Sequence, residues 1–260
     1  GGGPSGLSAA YYLQLMGHSC TVFELRPKLG GMLRYGIPNY RFPRERLQED
    51  IDCILSTGVE IKYNTKIGES LTIDDLRRQY DAVYVSIGAQ SDKKVGIEGE
   101  ESKNVYSAVD LLGSIGSDNP PDFTGKRVVV IGGGNTAMDT ARAAKRCDGV
   151  EHVYLVYRRT KRYMPADEHE LVLAVEDGVE FRELLAPEKL ENGQLICRVM
   201  KLGELDASGR AGIVETDETV AVPADRVIAA VGEKVPTDFY EANGLQEDDR
   251  GRVKVSPTLE

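Results

Sequence analysis

The sequence has no tryptophan, only three histidines, and four cysteines of which no two form a C-x-x-C pair. Cys20, Cys53, Cys147 and Cys197 lie too far apart to encode a redox dithiol motif, or the compact cradle that zinc or an iron–sulfur cluster needs. They read as structural thiols, and scattered free thiols suit a reducing cytoplasm, which is the expected location. His18, His152 and His169 are isolated, so none is assigned a metal or catalytic role. No apolar stretch approaches the roughly 18 residues that cross a bilayer, so no membrane partner is expected. Basic charge is also scarce. The 32 Lys and Arg stand against 42 Asp and Glu, and the net charge of −10 argues against a chain-wide surface for nucleic acid or anionic lipid. The chain begins with glycine rather than methionine, so its first residues say nothing about a targeting leader.

What remains is ordinary for a globular α/β protein: 260 residues, 41% hydrophobic and 28% charged, enough for one large domain or two smaller ones. LSAAYYLQLMG reads as a helix and CTVFE as a buried strand ending in an acid. RERLQEDIDCILSTG carries Leu47, Ile51, Ile54 and Leu55 at helical spacing. VEIKY and DAVYVSIGA read as strands around a helix begun by Thr72. After the turn-rich SDNPPDFTGK, a second start appears. RVVVIGGGNTAMDTARAAKR is a β-branched strand, a glycine turn and an alanine-rich helix, and HVYLVYRR is the next strand. From VEFRELL through LICRVMKLGEL and ETVAVP to ADRVIAAVG the chain reads as a β-meander returning to a parallel sheet, with DASG as a hairpin tip. Repeated strand–helix alternation is the pattern of a layered α/β fold.

The opening GGGPSG is a G-x-G-x-x-G loop, with Gly1, Gly3 and Gly6 in the glycine positions. Glycines there let a backbone approach a pyrophosphate, while the following helix offers free N–H groups at its positive end. An acid about 20 residues further on accepts ribose hydroxyls. Glu24, at the end of CTVFE, stands in that place. The strand that normally feeds such a loop would lie before residue 1. The second loop repeats the pattern with Gly132 and Gly134, and Ala137 replaces the third glycine, where only close helix–strand packing is required. No acid ends its following strand. Arg158 and Arg159 are there instead, with Lys161 and Arg162 just beyond, and guanidinium groups bind a phosphate monoester that an acid would repel. The first site is therefore expected to take a nucleotide with free ribose hydroxyls and the second NADP. Asp139, in the middle of TAMDTA, reads as a locally satisfied helix residue.

Two dinucleotide folds in one chain imply a flavin and a nicotinamide. GGMLRYGIPNYRFP, following FE, resembles the flavin loop of the glutamate synthase small-subunit family. GGGNTAMD, YRR and MPADEHEL resemble its NADPH half. The same module is found in dihydropyrimidine dehydrogenase and, more distantly, in adrenodoxin-reductase-like enzymes, and the resemblance covers essentially the whole chain. It implies two Rossmann-like domains, an FAD-binding domain from 1–97 and 234–260 and an NADPH-binding domain, 98–233, inserted into it. Gly1, Gly3, Pro4, Ser5 and Gly6 would wrap the FAD pyrophosphate, and Glu24 would bind its ribose. Gly31 and Met32 would approach the flavin, Arg41 would contact FAD, and Ile67 would pack by its adenine-bearing part. Asn135, Thr136 and Ala137 would sit at the NADPH pyrophosphate, and Arg158, Arg159 and Arg162 would hold the 2′-phosphate. Ala230, Val231 and Gly232 would line the passage back to the flavin, with hinges near 90–105 and 232–236.

The implied activity is hydride transfer from NADPH to FAD, with electrons passed onward to an iron–sulfur centre or an electron-acceptor partner subunit. No catalytic side chain is named. Members of the family usually carry an N-terminal cysteine-rich iron–sulfur region, and continue past a segment like VKVSPTLE into another strand and a Gly-Asp motif. Neither lies within these residues, so the 260 residues are expected to be an internal span. Two rival readings are a thioredoxin-reductase-like flavoprotein, against which the absent C-x-x-C counts, and a non-redox nucleotide-binding scaffold.

Overall fold

A computed structural model describes residues 1–207, 209–235, 237–249 and 252–258. The backbone forms two compact units, 1–91 with 234–260, and 92–233. In the first unit, α1 (Pro4–Leu15) leads to β1 (Thr21–Phe23), α2 (Met32–Tyr35), α3 (Arg44–Leu55), β2 (Glu60–Lys62) and α4 (Ile73–Gln79). β1 and β2 pair in parallel, Val22 opposite Ile61. Thr72 caps α4 reciprocally with Asp75, each taking the other's backbone N–H, as its sequence suggests. Leu47 and Ile51 of α3 bury with Leu7 and Leu29, and Ile54 and Leu55 pack at the margin.

DAVYVSIGA was expected to be a strand, but the structure gives residues 81–89 no ladder. An alternating apolar pattern sets up a strand, yet a ladder needs a neighbour's backbone groups. Here the segment borders an open slot of about 780 Å³, lined by Val22 and Phe23 of β1 and by Val83, Val85 and Ile87.

The chain crosses to the second unit within β3 (Ser91–Asp92). Beyond it lie β4 (Val105–Ser107), α5 (Ala108–Gly116), β5 (Arg127–Ile131), α6 (Asn135–Lys145), β6 (His152–Tyr157), a 3-10 turn (Lys161–Tyr163) and α7 (Glu168–Glu176). Next come β7 (Glu180–Glu183), β8 (Leu185–Glu191), β9 (Gln194–Leu205), β10 (Ala211–Pro223) and β11 (Arg226–Ala229). The return is within β12 (Glu233–Lys234), before α8 (Thr237–Ala242). Five parallel strands make the central sheet, in the order β4-β11-β5-β6-β7. β8, β9 and β10 form a separate antiparallel sheet.

The run RVVVI is apolar throughout because both faces of β5 are covered. Val128 and Val130 pack with Met138 and Ala141 of α6 and Leu111 of α5. Val129 and Ile131 pack with Leu195, Cys197 and Val222 of the meander. VEFRE, read from sequence as entering the meander, is instead the edge strand β7 of the parallel sheet. Residues 92–97 group with the second unit, because Ile97 buries in the meander-side core. The β9–β10 turn is closed by Asp206 N–H on the Arg210 carbonyl (2.9 Å). Ser208 of the expected DASG tip, Pro236 of the expected hinge and the final Leu259 and Glu260 lie outside the described residues.

Candidate functional site

In the first unit, β1 ends at Phe23 and delivers Glu24 to the glycine loop. Glu24 is buried, and its Oε2 accepts the Gly2 N–H at 2.7 Å while its Oε1 accepts the Arg26 N–H at 2.8 Å. Each carboxylate oxygen has two acceptor sites, so capacity remains for a diol. Gly30 N–H donates to the Gly2 carbonyl (2.8 Å), which draws the second glycine pair against the first. Gly31 has φ +51°, and a Cβ there would stand 2.7 Å from Gly3 Cα, so only glycine fits on both counts. Buried Arg34 braces this loop by donating to the Leu29 carbonyl and to Gln48 Oε1 (2.7 Å). α1 begins with Pro4 at its first position, after Gly3, and no side chain caps it. Its first-turn N–H groups thus keep their affinity for an anion.

The structure brings Gly1, Gly3, Pro4, Ser5, Gly6, Glu24 and Gly31 into one loop cluster, with Met32 opening α2 beside it. The Ser5 hydroxyl is hydrogen-bonded to Tyr84 Oη (2.8 Å). Arg41 is exposed on the turn after α2. Ile67 lines the apolar slot, which Gly1 and Gly6 also border.

In the second unit the site residues emerge from the carboxyl ends of three adjacent strands. β5 runs into Gly132, β6 into Arg158, and β11 into Ala230. Strand order reverses between β5 and β11, the place where open α/β sheets bind ligands. The three glycines serve different ends. A Cβ on Gly132 would meet the Ala230 carbonyl oxygen at 2.3 Å and Ala137 Cβ at 2.9 Å; one on Gly133 would strike the Tyr157 ring; Gly134 faces open space. Ala137 is fully buried in this helix–strand contact. α6 starts after Gly134 with no side-chain cap. Asn135 is exposed, and its Oδ1 accepts the Asp167 N–H at 3.0 Å. Thr136 Oγ1 donates to Glu233 Oε1 at 3.0 Å. Val231 is exposed, and the Gly232 carbonyl accepts the Lys93 N–H (2.9 Å).

Arg158 and Arg162 are exposed and Arg159 is half-buried. None of the three forms an ion pair among the described residues. By contrast Arg127 is bound bidentately by Asp225 at the opposite, amino ends of β5 and β11, which holds the Asp225 carboxyl down at about 2. Asp92 is hydrogen-bonded to the Ser107 hydroxyl and accepts the Val109 N–H (3.3 Å). Burial pushes its carboxyl up to about 6, with smaller contributions from Asp110 and Glu233. Burial also raises Cys147, and takes Cys197 to about 12, so neither thiol is primed to react. No group of residues that could hold a metal occurs among the described residues.

Sequence reasoning passed over Tyr157, seated against Gly133, and Ala166 and Asp167, whose N–H groups hold the Gly133 carbonyl (3.1 Å) and Asn135. It also passed over Gly2, Arg34 and Glu233. The only sequence signal for Tyr157 and Asp167 was their place inside YRR and MPADEHEL.

Both loops fit the diphosphate of a dinucleotide: small residues at the turn, an uncapped helix start, and close backbone approach. They differ at the end of the next strand, which carries an acid in the first unit and arginines in the second.

The family model described as pyridine nucleotide-disulphide oxidoreductase matches residues 1–260. The chain is similar to the NADP(+)-dependent formate dehydrogenase subunit beta of Moorella thermoacetica, 40% identical over 265 residues, covering 99% of this chain and 37% of that protein. It is 35% identical over 272 residues to the glutamate synthase [NADPH] small chain of Escherichia coli, covering 97% of this chain and 57% of that one. Among solved structures, Mycobacterium tuberculosis FprA in complex with NADPH superposes with a TM-score of 0.81 at 23% identity, over 99% of this chain and 76% of that chain. That last likeness concerns the fold. The chain thus spans little more than a third of one curated relative and over half of the other. No helix among the described residues is long and apolar enough to cross a membrane.

Proposed function

The chain belongs to the pyridine nucleotide-disulphide oxidoreductase family, and from that premise we propose that it is the FAD- and NADPH-binding part of a flavoprotein oxidoreductase. Its work is hydride transfer from NADPH to FAD and delivery of electrons to an iron–sulfur centre or partner subunit, in a cytoplasmic protein. The first unit is the FAD-binding domain and the second the inserted NADPH-binding domain. One observation carries the reading: of two uncapped glycine-loop helices, one is followed by buried Glu24 and the other by Arg158 and Arg159, which have no carboxylate partner among the described residues. The names of both curated relatives, one a subunit and one a chain, speak of NADP(+) or NADPH. The four cysteines of these 260 residues are free thiols, so the reading assigns the electron acceptor to none of them.

A reduced nicotinamide and a flavin bring hydride chemistry of their own, so the chain's contribution is binding, alignment and exclusion of water. In the first unit, the N–H groups of Ser5 and Gly6 and the dipole of α1 neutralise a pyrophosphate. Glu24 accepts hydrogen bonds from a ribose diol while its bonds to Gly2 and Arg26 fix its orientation. In the second unit, Asn135, Thr136 and Ala137 present the α6 N-terminus, and the Asp167 and Glu233 contacts hold that turn in place. Arg158, Arg159 and Arg162 bind the 2′-phosphate.

Each charged contact to the phosphate contributes roughly 1.5–3 kcal/mol. The variant Arg158→Ala/Arg159→Ala is expected to raise the Michaelis constant for NADPH at least tenfold more than that for NADH. Equal loss with both nucleotides would overturn the assignment.

A further inference from the structure

Resting on the reading of residues 132–162 as a nucleotide site, we propose that Arg210, on the tip of the β9–β10 hairpin, is a further specificity residue of that site. It binds the same phosphate monoester as Arg158 and Arg159, and it makes the meander part of the NADPH recognition surface.

The hairpin touches the cationic loop at two successive residues. Arg210 Nη2 donates to Tyr157 Oη at 3.1 Å and to the Tyr163 carbonyl at 3.4 Å. Tyr157 Oη itself donates to the Tyr163 carbonyl at 2.9 Å. Those two tyrosines bracket the segment 158–162, one directly before Arg158 and the other directly after Arg162. The next hairpin residue, buried Ala211, gives its carbonyl to Arg159 Nε at 3.0 Å. The tip is itself pinned, since Asp206 Oδ1 accepts the Arg210 backbone N–H at 3.0 Å. Tyr157 packs on Gly133, so the arrangement continues into the glycine loop.

Charge supplies the second argument. Arg158, Arg159, Lys161, Arg162 and Arg210 form a cationic island in which no side chain has an ion pair among the described residues. Two carboxylates touch the island through backbone, Glu183 Oε2 taking the Lys161 N–H (2.9 Å) and Asp206 Oδ1 that of Arg210, and Asp167 and Glu168 line one cleft with Lys161 and Arg162. Of the other arginines in the unit, five have carboxylate partners, Arg127 with Asp225, Arg142 and Arg146 with Asp177, Arg182 with Glu180 and Arg198 with Glu188, while Arg226 bonds to Asn104 Oδ1. In a chain of net charge −10, five gathered cations repel one another unless an anion joins them. With Nε of Arg159 and Nη2 of Arg210 committed to protein oxygens, the remaining guanidinium N–H groups are held in fixed orientation, which suits a tetrahedral dianion.

The test uses the full chain, with calorimetric titration of NADPH, NADH, adenosine 2′,5′-bisphosphate and adenosine 5′-monophosphate against wild type, Arg210→Ala, Arg210→Lys and Tyr157→Phe. Arg210→Ala is expected to weaken NADPH and the bisphosphate roughly 10- to 100-fold while NADH and the monophosphate change by less than about twofold. Arg210→Lys retains part of the discrimination, and Tyr157→Phe, which frees the guanidinium, loses part. Thermal melting of each variant checks folding, and Arg210→Lys carries the test if the alanine variant does not fold. Unchanged NADPH affinity in a folded Arg210 variant overturns the proposal while leaving the nucleotide-site reading intact. Equal loss for NADPH and NADH also overturns it, because the arginine then only supports the hairpin. A wild-type chain that binds both nucleotides alike overturns the site reading and this proposal with it.

Discussion

Adding one methyl group at Gly132 or at Gly134 separates the two tasks of the second glycine loop. At Gly132 the new Cβ would lie 2.3 Å from the Ala230 carbonyl oxygen and 2.9 Å from Ala137 Cβ. The first is backbone and the second a rigid, fully buried methyl, so neither yields cheaply. Overpacking of this kind costs about 1–3 kcal/mol, which lowers the melting temperature of a domain this size by roughly 3–10 °C. At Gly134 the Cβ meets nothing, and φ −96°, ψ 175° are comfortable for alanine. The fold should lose only the difference between glycine and alanine at a helix cap, about 0.5–1 kcal/mol. That open space is where a pyrophosphate would approach the α6 N–H groups. Losing one charge-assisted bond there costs about 1.5–3 kcal/mol, or at least roughly tenfold in affinity. Melting curves and NADPH titrations of both variants make the comparison. Gly134→Ala protein that melts near wild type and binds NADPH undiminished would refute the idea that this loop cradles the nucleotide.

Glu24→Ala is expected to lose FAD on gel filtration while its NADPH affinity stays within about twofold of wild type, and Glu24→Gln, which keeps one acceptor oxygen, should fall between. A matching collapse of NADPH binding would show that the two loops do not serve separate nucleotides. Asp92 makes the second unit's stability depend on pH. Its carboxyl is raised from 3.8 to about 6, so the folded state holds the proton more tightly than the unfolded chain. The contribution is complete below pH 3.8 and lost as pH rises through about 6. Allowing for screening of this half-exposed group, wild type should lose about 1–2 kcal/mol relative to Asp92→Asn between those limits. Parallel denaturant curves for the two proteins at both ends of the range would contradict it.

Local signals were legible and long-range ones were not. The glycine turns, the Thr72 cap and the apolar run of β5 depend on neighbouring residues, and the structure has each as read. Ala137 sits against Gly132 for the packing reason that its small side chain suggests. The insertion of β11 between β4 and β5 joins segments far apart in sequence, and no periodicity announces it. The same holds for Tyr157 on Gly133, a side chain of one strand against the loop after its neighbour, and for Arg210 at Tyr157, a contact between the meander and the parallel sheet. DAVYVSIGA misled because alternation reports which faces are apolar and not whether a partner strand lies alongside. VEFRE misled because an edge strand and a meander strand share one pattern, and only pairing distinguishes them.

Anaerobic addition of NADPH to the FAD-loaded full-length protein, followed by flavin absorbance, tests the central claim most directly. The expected result is rapid bleaching of the yellow colour by one equivalent of NADPH per flavin, with NADH much less effective at the same concentration. A protein that stays yellow while it binds NADPH, or one that binds NADPH but takes up no flavin, would contradict the account.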